Sequence, residues 1–549
     1  MSKSLRLACW LLACLPLVAP AAPLKLALGA GPEARLLQLD QRQVLSRGAV
    51  PAELQAPLGS LWKLFVYAYL VDNQQPEQPY MCKGESRDEL YCCASGESIE
   101  RDQALVQSCG LYFAPQRLQL VAQDWARYWQ AHGAPVWLHD LTRLEPQHQV
   151  PVSELLSVLA RLPAQQQARE VLLDVLLQPS QEKTLSALGA RMRVKTWSWL
   201  AEHDAQARQG GFAGWLVDGT PLWVGGSGTS QDILQRYAEA LEVALPNGWP
   251  KDEGRCVEVA LFARYPVQAV RQRDTGQRAV NGVLRGSFEV QFVNGNRLPV
   301  DSAGELFLAG DVSVPQLTAR LAREEYVARV LDREASAQPA EAAKALAVAI
   351  RTYLLQSAER RGDCLAISDS SARQRVAPRP ASAAAREITA WTADLVLAGS
   401  AVNYHADLPG SDRLSWQHAV EQAAAGMRYD SILLRAFPRA SLTRWDKPRA
   451  ACQPLVAAEA WLLAQQRTWR TRLDAEPGYS ETRQFAVCQL LSGRPYVDRE
   501  RRRIFVRGLY SLQDRLDLTH EYLHLAFEAH PNGQDEEYIE HLTRHLLLE

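Results

Sequence analysis

The chain has 549 residues, 47% of them hydrophobic and 22% charged, with a formal net charge of −2. That length is more than one hydrophobic core organises, so two to four domains are expected. The near-neutral balance gives no sign of binding to nucleic acid or to an anionic membrane, and the lack of a short repeat excludes a solenoid.

Residues 1–22 read as a secretory signal peptide. Lys3 and Arg6 precede an apolar run, which gives way to small residues near Ala21 and Ala22. Cys14 closes "LLAC", but the run before it is short, and Leu12 is out of place for a lipid-attachment box. No later segment is long and apolar enough to span a bilayer, so an exported, periplasmic protein is expected. Export gives the cysteines meaning. Past the leader they form three even groups: Cys82, Cys92, Cys93 and Cys109; Cys256 and Cys364; Cys452 and Cys488. In an oxidising compartment this predicts disulfides within each group, Cys256–Cys364 and Cys452–Cys488 among them. No paired C-x-x-C supports a zinc–cysteine site.

In "LGSLWKLFVYAYL", Ser60 precedes Lys63 by three residues at the start of an apolar helical stretch. One helical turn places hydroxyl and amine on the same face, where the amine can take the serine proton. Such a tetrad is common by chance, and its bland reading is two solvated helix residues. "IERDQALVQSCGLYF", then "VKTWSW" and "GGFAGWLVDGTPLWVGG", follow it in the chain. With them, residues 35–243 resemble the penicillin-binding-protein and β-lactamase family. The resemblance implies a β-lactamase/transpeptidase-like α/β domain, with Ser60 and Lys63 as catalytic residues and Ser108, Lys195 and Thr196 meeting the substrate. Two motifs depart from the family. Its S-x-N reads Ser108-Cys109-Gly110, and its K-T-G reads Lys195-Thr196-Trp197. Glycine at the last position lets the strand approach a peptide, so the Trp197 indole is expected to obstruct. Binding of a peptidoglycan stem peptide is then as natural a role as catalysis.

"ALPNGWPKDEG" (244–254) clusters turn residues and reads as an interdomain connection; 436–450 is a weaker one. Between them, alternation over 256–310 predicts strands, and an Ala- and Leu-rich stretch predicts a helix. "LAREEYVARVLDREASAQPAEAAKALAVAIRTYLL" joins E-E-Y-V, a glutamate nine residues later and an Ala-rich helix ending R-T-Y. Residues 255–442 resemble the SpoIID family of peptidoglycan lytic transglycosylases, which implies an α+β domain with Glu334 as catalytic acid. One carboxyl suffices for that chemistry: it protonates the glycosidic oxygen, then accepts the proton of the sugar's own C6 hydroxyl. Without the resemblance, Glu334 beside Asp332 and Arg333 reads as a solvated surface charge. The family's zinc-binding cysteines and histidine fall on Ser368, Ala372 and Arg373, so no metal is expected here.

The last region gives a strand, "RIFVRGLYS", and then "THEYLHLAFEAHPNGQDEEYIEHLTRHL". His520 and His524 stand four apart, so on a helix both nitrogens can reach one zinc, with Glu521 beside them as the base. A histidine-rich surface helix is the plain alternative. His530 matches the metzincin spacing, but Phe527 occupies the position where that family turns at glycine. "HPNG" reads instead as the turn that ends the helix. The acidic start of the next helix resembles gluzincins, a likeness that implies Glu536 as third ligand, with Glu537 if the alignment slips by one, and Glu540 supporting a histidine. His541 and His545 read as solvated.

The expectation is therefore an α+β multidomain protein with a small zincin-like α+β domain at 450–549, zinc as cofactor and peptidoglycan, stem peptide or glycan, as partner. The arrangement resembles a family of exported bacterial proteins, some associated with bacterial α2-macroglobulin-like proteins. Two rival readings stay open: a non-catalytic wall-binding scaffold, and a maturation protease for a partner protein.

Overall fold

The computed structural model describes residues 23–86, 89, 91–93, 95–178, 181–200, 208–250, 256–311, 314–370, 373–405, 413–438, 440–445, 454–483, 485–490, 495–498 and 502–548. The expected leader and Cys452 lie outside the described residues.

A six-stranded antiparallel sheet organises the first unit. Its order is Val44–Ala49, Arg35–Leu39, Leu24–Leu28, Pro221–Ser227, Gln209–Leu216, Met192–Trp199. The domain thus starts before residue 35, which corrects the expected boundary: Leu24–Leu28 pairs with a neighbour on each side. Its alternation sends Leu24 and Leu26 to one buried face and Ala27 to the other. Helix Trp62–Asp72 and its aromatic neighbours Trp125 and Trp129 lie in the core on the Ala27 face. Helices Glu182–Leu188, Ser230–Arg236 and Ala238–Ala244 contribute to the other.

That second core does not stop at the domain boundary. It continues into the core of the middle unit, around a seven-stranded sheet built from residues 256–368. There Cys256–Ala260 runs parallel to Cys364–Ser368, with Cys256 opposite Cys364 and the two joined as a disulfide. Helix Ala340–Ser357 is buried along most of its length; its alanines let other helices approach closely, and it packs on Arg323–Glu334, Ala383–Trp391, Trp416–Ala424 and Tyr429–Ala436. Part of the expected break at 436–450 is ordered strand, Ser441–Arg444, paired with Leu395–Ala398.

The last unit has its own core around a three-stranded sheet of Ala486–Gln489, Arg503–Val506 and Tyr496–Asp498, packed with helices Val456–Leu473, Leu512–Ala526 and Glu536–Leu548. Buried polar contacts join the units. Arg193 Nη2 lies 3.1 Å from Asp394, which also pairs with Arg323. Ser186 donates to Asp430 at 2.6 Å, and Arg444 to Asp174 at 3.0 Å. Arg503 donates to Ser441 and to the Pro438 carbonyl.

In the first cysteine group the bonds are Cys82–Cys93 and Cys92–Cys109. Cys488 is disulfide-bonded; its expected partner is the Cys452 outside the described residues. Among the described residues no helix is long and apolar enough to cross a membrane.

Candidate functional sites

A short turn, Gly59–Leu61, leads into helix Trp62–Asp72 and sets Ser60 one turn before Lys63. The turn runs against strand Met192–Trp199. Gly59 has φ +49°, and a Cβ there would stand 3.1 Å from the Ser198 carbonyl oxygen, so glycine permits the approach. Lys63 Nζ lies 3.2 Å from Ser60 Oγ and 3.1 Å from Ser108 Oγ, and donates to the Ser108 carbonyl at 2.7 Å. Ser108 closes helix Arg101–Gln107 in the left-handed region, φ 65°. Lys195 Nζ reaches the same hydroxyl at 2.9 Å. Burial, then the Lys63 charge, push the Lys195 amine well below its ordinary range. The four residues drawn from three distant motifs do converge. Beside them opens a cleft of about 520 Å³ lined also by Thr196, Arg208 and Tyr91.

Trp197 also lines this cleft. Trp197 is 2% exposed and stacks on Trp223, centroids 6.2 Å apart, on the core side of the strand. Gly225 makes the room: a Cβ there would come within 2.4 Å of Trp223 and 3.1 Å of Trp197. Strand alternation turns Thr196 and Ser198 the other way. At the position of the missing asparagine, Gly110 stands beside Lys63, where a Cβ would be 3.6 Å from Lys63 Cε.

Glu334 ends helix Arg323–Glu334, and its side chain is 13% exposed, which overturns the reading as a solvated charge. Its carboxylate accepts from the Arg375 backbone at 2.7 Å and from the Tyr404 hydroxyl. Behind it runs a buried polar chain. Gln374 Nε2 donates to the Tyr404 oxygen at 2.9 Å and to the Ile350 carbonyl at 3.1 Å, while its Oε1 accepts from Tyr326. Burial raises the Glu334 pKa against the opposing pull of these donors and of Arg375. A carboxyl that keeps its proton above the usual range can act as a general acid. Tyr404 and Gln374 escaped the sequence reading; Tyr326 alone had a signal, as the tyrosine of E-E-Y-V. Ser368 and Arg373 carry no metal-ligating groups, Ala372 lies outside the described residues, and Cys364 is bonded to Cys256.

Helix Leu512–Ala526 starts at a reciprocal cap between Ser511 and Asp514, directly after strand Arg503–Val506. It brings His520 and His524 to one face. Among the described residues, His520, His524 and Glu536 alone form a group whose ligand atoms lie within 4.8 Å of one another. His520 Nε2 is 3.1 Å from His524 Nε2 and 3.2 Å from Glu536, and His524 Nε2 is 3.4 Å from Glu536. The other ring nitrogens are occupied: His524 Nδ1 contacts the Gly533 carbonyl at 2.9 Å, and His520 Nδ1 lies 3.5 Å from Glu540. Both Nε2 atoms are thus turned to one point, a donor set that suits zinc. Gly533 fits where a Cβ would sit 2.3 Å from the Phe527 carbonyl. His530 instead caps the turn Pro531–Gln534, accepting from Asn532 at 3.2 Å, and Glu537 is absent from the cluster. Glu521, half-buried, follows His520; His541 is exposed and His545 half-buried.

A family model described as "Predicted secreted protein (DUF2300)" matches residues 84–206 and 412–532, and one described as "Stage II sporulation protein" (SpoIID) matches 314–398. The first spans Ser108, Lys195 and the two clustered histidines; the second spans Glu334 and Gln374. "Uncharacterized protein YfaQ" of Escherichia coli (strain K12) is 54% identical over 542 residues, which is 98% of this chain and 99% of that protein. Among solved structures, the class A β-lactamase of the last common ancestor of Gram-negative bacteria is 14% identical, over 41% of this chain and 94% of its own, with a TM-score of 0.27. The β-lactamase from Desulfarculus baarsii DSM 2075 is 13% identical, over 41% and 92%, with a TM-score of 0.27.

Proposed function

We propose, from the premise that this chain belongs to the family of YfaQ, that it is an exported protein acting on peptidoglycan, with lytic cleavage of the glycan at Glu334. The observation that carries the reading is the buried carboxyl of raised pKa, held by Tyr404 and Arg375 inside the segment matched by the sporulation-protein model. In the step proposed, the Glu334 proton passes to the glycosidic oxygen as the C1–O bond breaks. The carboxylate left behind takes the proton of the C6 hydroxyl, whose oxygen bonds to C1 and closes an anhydro ring. No water enters and no second carboxylate is required, and Glu334 ends protonated as it began. Purified sacculi incubated with the protein should release anhydro-muropeptides, one water lighter than hydrolysis products, and Glu334→Gln should not.

A second activity is favoured by the histidine cluster: peptide cleavage in the zincin-like region. His520, His524 and Glu536 would hold zinc, with Glu540 and the Gly533 carbonyl orienting the rings. Bound zinc supplies Lewis-acid polarisation of a peptide carbonyl. Glu521 would accept the proton of the attacking water. The substrate is a stem peptide or a partner protein, a bacterial α2-macroglobulin-like protein in the maturation reading. The Ser60 cleft would then seat stem peptide, with Lys63 as its base if it acylates. The metal content of the purified protein and peptidase assays on stem peptide test this part separately from the glycan chemistry.

A further inference from the structure

One sizeable cavity among the described residues belongs to none of these three sites. About 720 Å³ in volume, it lies where the segment leaving the first unit, Asn247 to Trp249, crosses the middle unit. Its other walls come from strands Arg297–Ala309 and Gln316–Ala322 and helices Arg323–Glu334 and Ala383–Trp391. Glu325 and Glu334 share a helix but are nine residues, about two and a half turns, apart, so they leave it on opposite sides. The cavity is therefore not an extension of the Glu334 site.

Its charges are arranged rather than scattered. Arg329 sits between two carboxylates, 3.1 Å from Glu305 and 2.9 Å from Glu325, and Arg386 reaches Glu325 from the other side at 2.8 Å. Burial acts to raise Glu325, yet the hydrogen bonds from Arg386 and Arg329 outweigh it and hold the group below the usual carboxylate range. Glu387 is engaged by the Asn247 amide. All three carboxylates are thus committed. The cation left over is Arg320: it is exposed, and its partner among the described residues is the Cys256 sulfur at 3.6 Å. Arg386 adds an outer edge, 41% exposed, over the Trp249 ring at 6.0 Å. Two guanidinium groups lining one cavity with an indole and small apolar walls suit a carboxylate attached to a compact body.

We propose that this junction cavity is a separate binding site for a carboxylate-bearing muropeptide fragment, with Arg320 and Arg386 taking the carboxylate and Trp249 the body. The choice of muropeptide rests on the peptidoglycan reading above; the site itself rests on the cavity. The test uses the full chain and muramyl dipeptide carrying a diazirine. Saturable cross-links within 247–249 and 383–390 are expected. Arg320→Ala, an exposed change, should weaken binding about tenfold or more, as loss of a charge-assisted hydrogen bond implies. Amidating the probe's carboxylate should do the same. Ser60→Ala and Glu334→Gln should leave the cross-links within 247–249 and 383–390 in place. Cross-links confined to the Ser60 cleft, absence of saturable binding, or equal affinity for Arg320→Ala would each overturn the site. If the probe fails to bind while sacculi are still cleaved, this inference falls alone; if the probe binds while sacculi stay intact, the lytic reading falls alone.

Discussion

Cys92 is joined by a disulfide to Cys109, one residue past the hydroxyl that Lys63 and Lys195 share. The bond fixes the start of the loop that leads up to Ser108 and the first residue after it, while the left-handed backbone of Ser108 turns its hydroxyl to the amines. Replacing both cysteines by alanine should cost about 3 kcal/mol for a loop of this length and, if Ser60 acylates as proposed, should slow its labelling by a fluorescent penicillin. Denaturant titration and gel fluorescence measure the two effects. Unchanged acylation in the folded variant would mean that the turn alone places Ser108.

For Glu334 the sign of the pH effect is fixed by the direction of its shift. Folding raises its pKa above the ordinary carboxyl value, so the folded state binds the proton more tightly. The stability this confers is full below about pH 4.5 and is lost as pH rises through the folded pKa. Glu334→Gln, a permanently neutral mimic, should therefore raise the melting temperature at pH 8 relative to the unaltered protein, and should leave it little changed at pH 4. The Tyr404 hydroxyl favours the charged form, so Tyr404→Phe should shift the alkaline limb of muropeptide release to higher pH. A limb that moves down, or does not move, removes Tyr404 from this role.

Metal content across four variants decides the third site. Zinc should be stoichiometric in the unaltered protein, absent in His524→Ala, strongly reduced in Glu536→Ala and retained in His530→Ala, because His530 caps a turn instead of facing the cluster. Glu521→Gln should keep the metal and lose peptidase activity. Zinc retained in Glu536→Ala but lost in His530→Ala would reverse the ligand assignment.

Asp394 bridges Arg193 of the first unit and Arg323 of the middle one. Asp394→Ala removes a carboxylate shared by two buried guanidinium groups, of which Arg323 keeps Glu324 at 3.0 Å, and should cost about 3 kcal/mol. In calorimetry the first two units should melt together in the unaltered protein and separate in the variant. Joint melting in both would assign the coupling to the shared apolar core alone.

What the sequence made legible was local. Ser60 and Lys63 are one turn apart, as are His520 and His524, so helical periodicity sufficed to pair them. The turn at Asn532 and Gly533 announced the second helix and with it Glu536. Ser108 and Lys195 could be placed beside Lys63 only through the family likeness, since 45 and 132 residues separate them from it. The packing of Trp197 was not legible from its residue type, since the room for the indole comes from Gly225 across the sheet. The polar chain from Glu334 through Tyr404 to Gln374 draws on residues 70 positions apart and the junction cavity on residues 143 apart, and no periodicity connects those. The strand Leu24–Leu28 was missed because it is short and directly follows the expected leader.

That same strand sets an order of events. Leu24–Leu28 can pair with Arg35–Leu39 as soon as both emerge, but its other edge waits for Pro221–Ser227, nearly two hundred residues later. Until then a nascent chain carries an open, apolar strand edge, the kind that recruits unwanted partners. The first unit therefore closes late, when its C-terminal hairpin arrives. A chain in transit across a membrane would be held unfolded by its own topology until most of that unit had crossed.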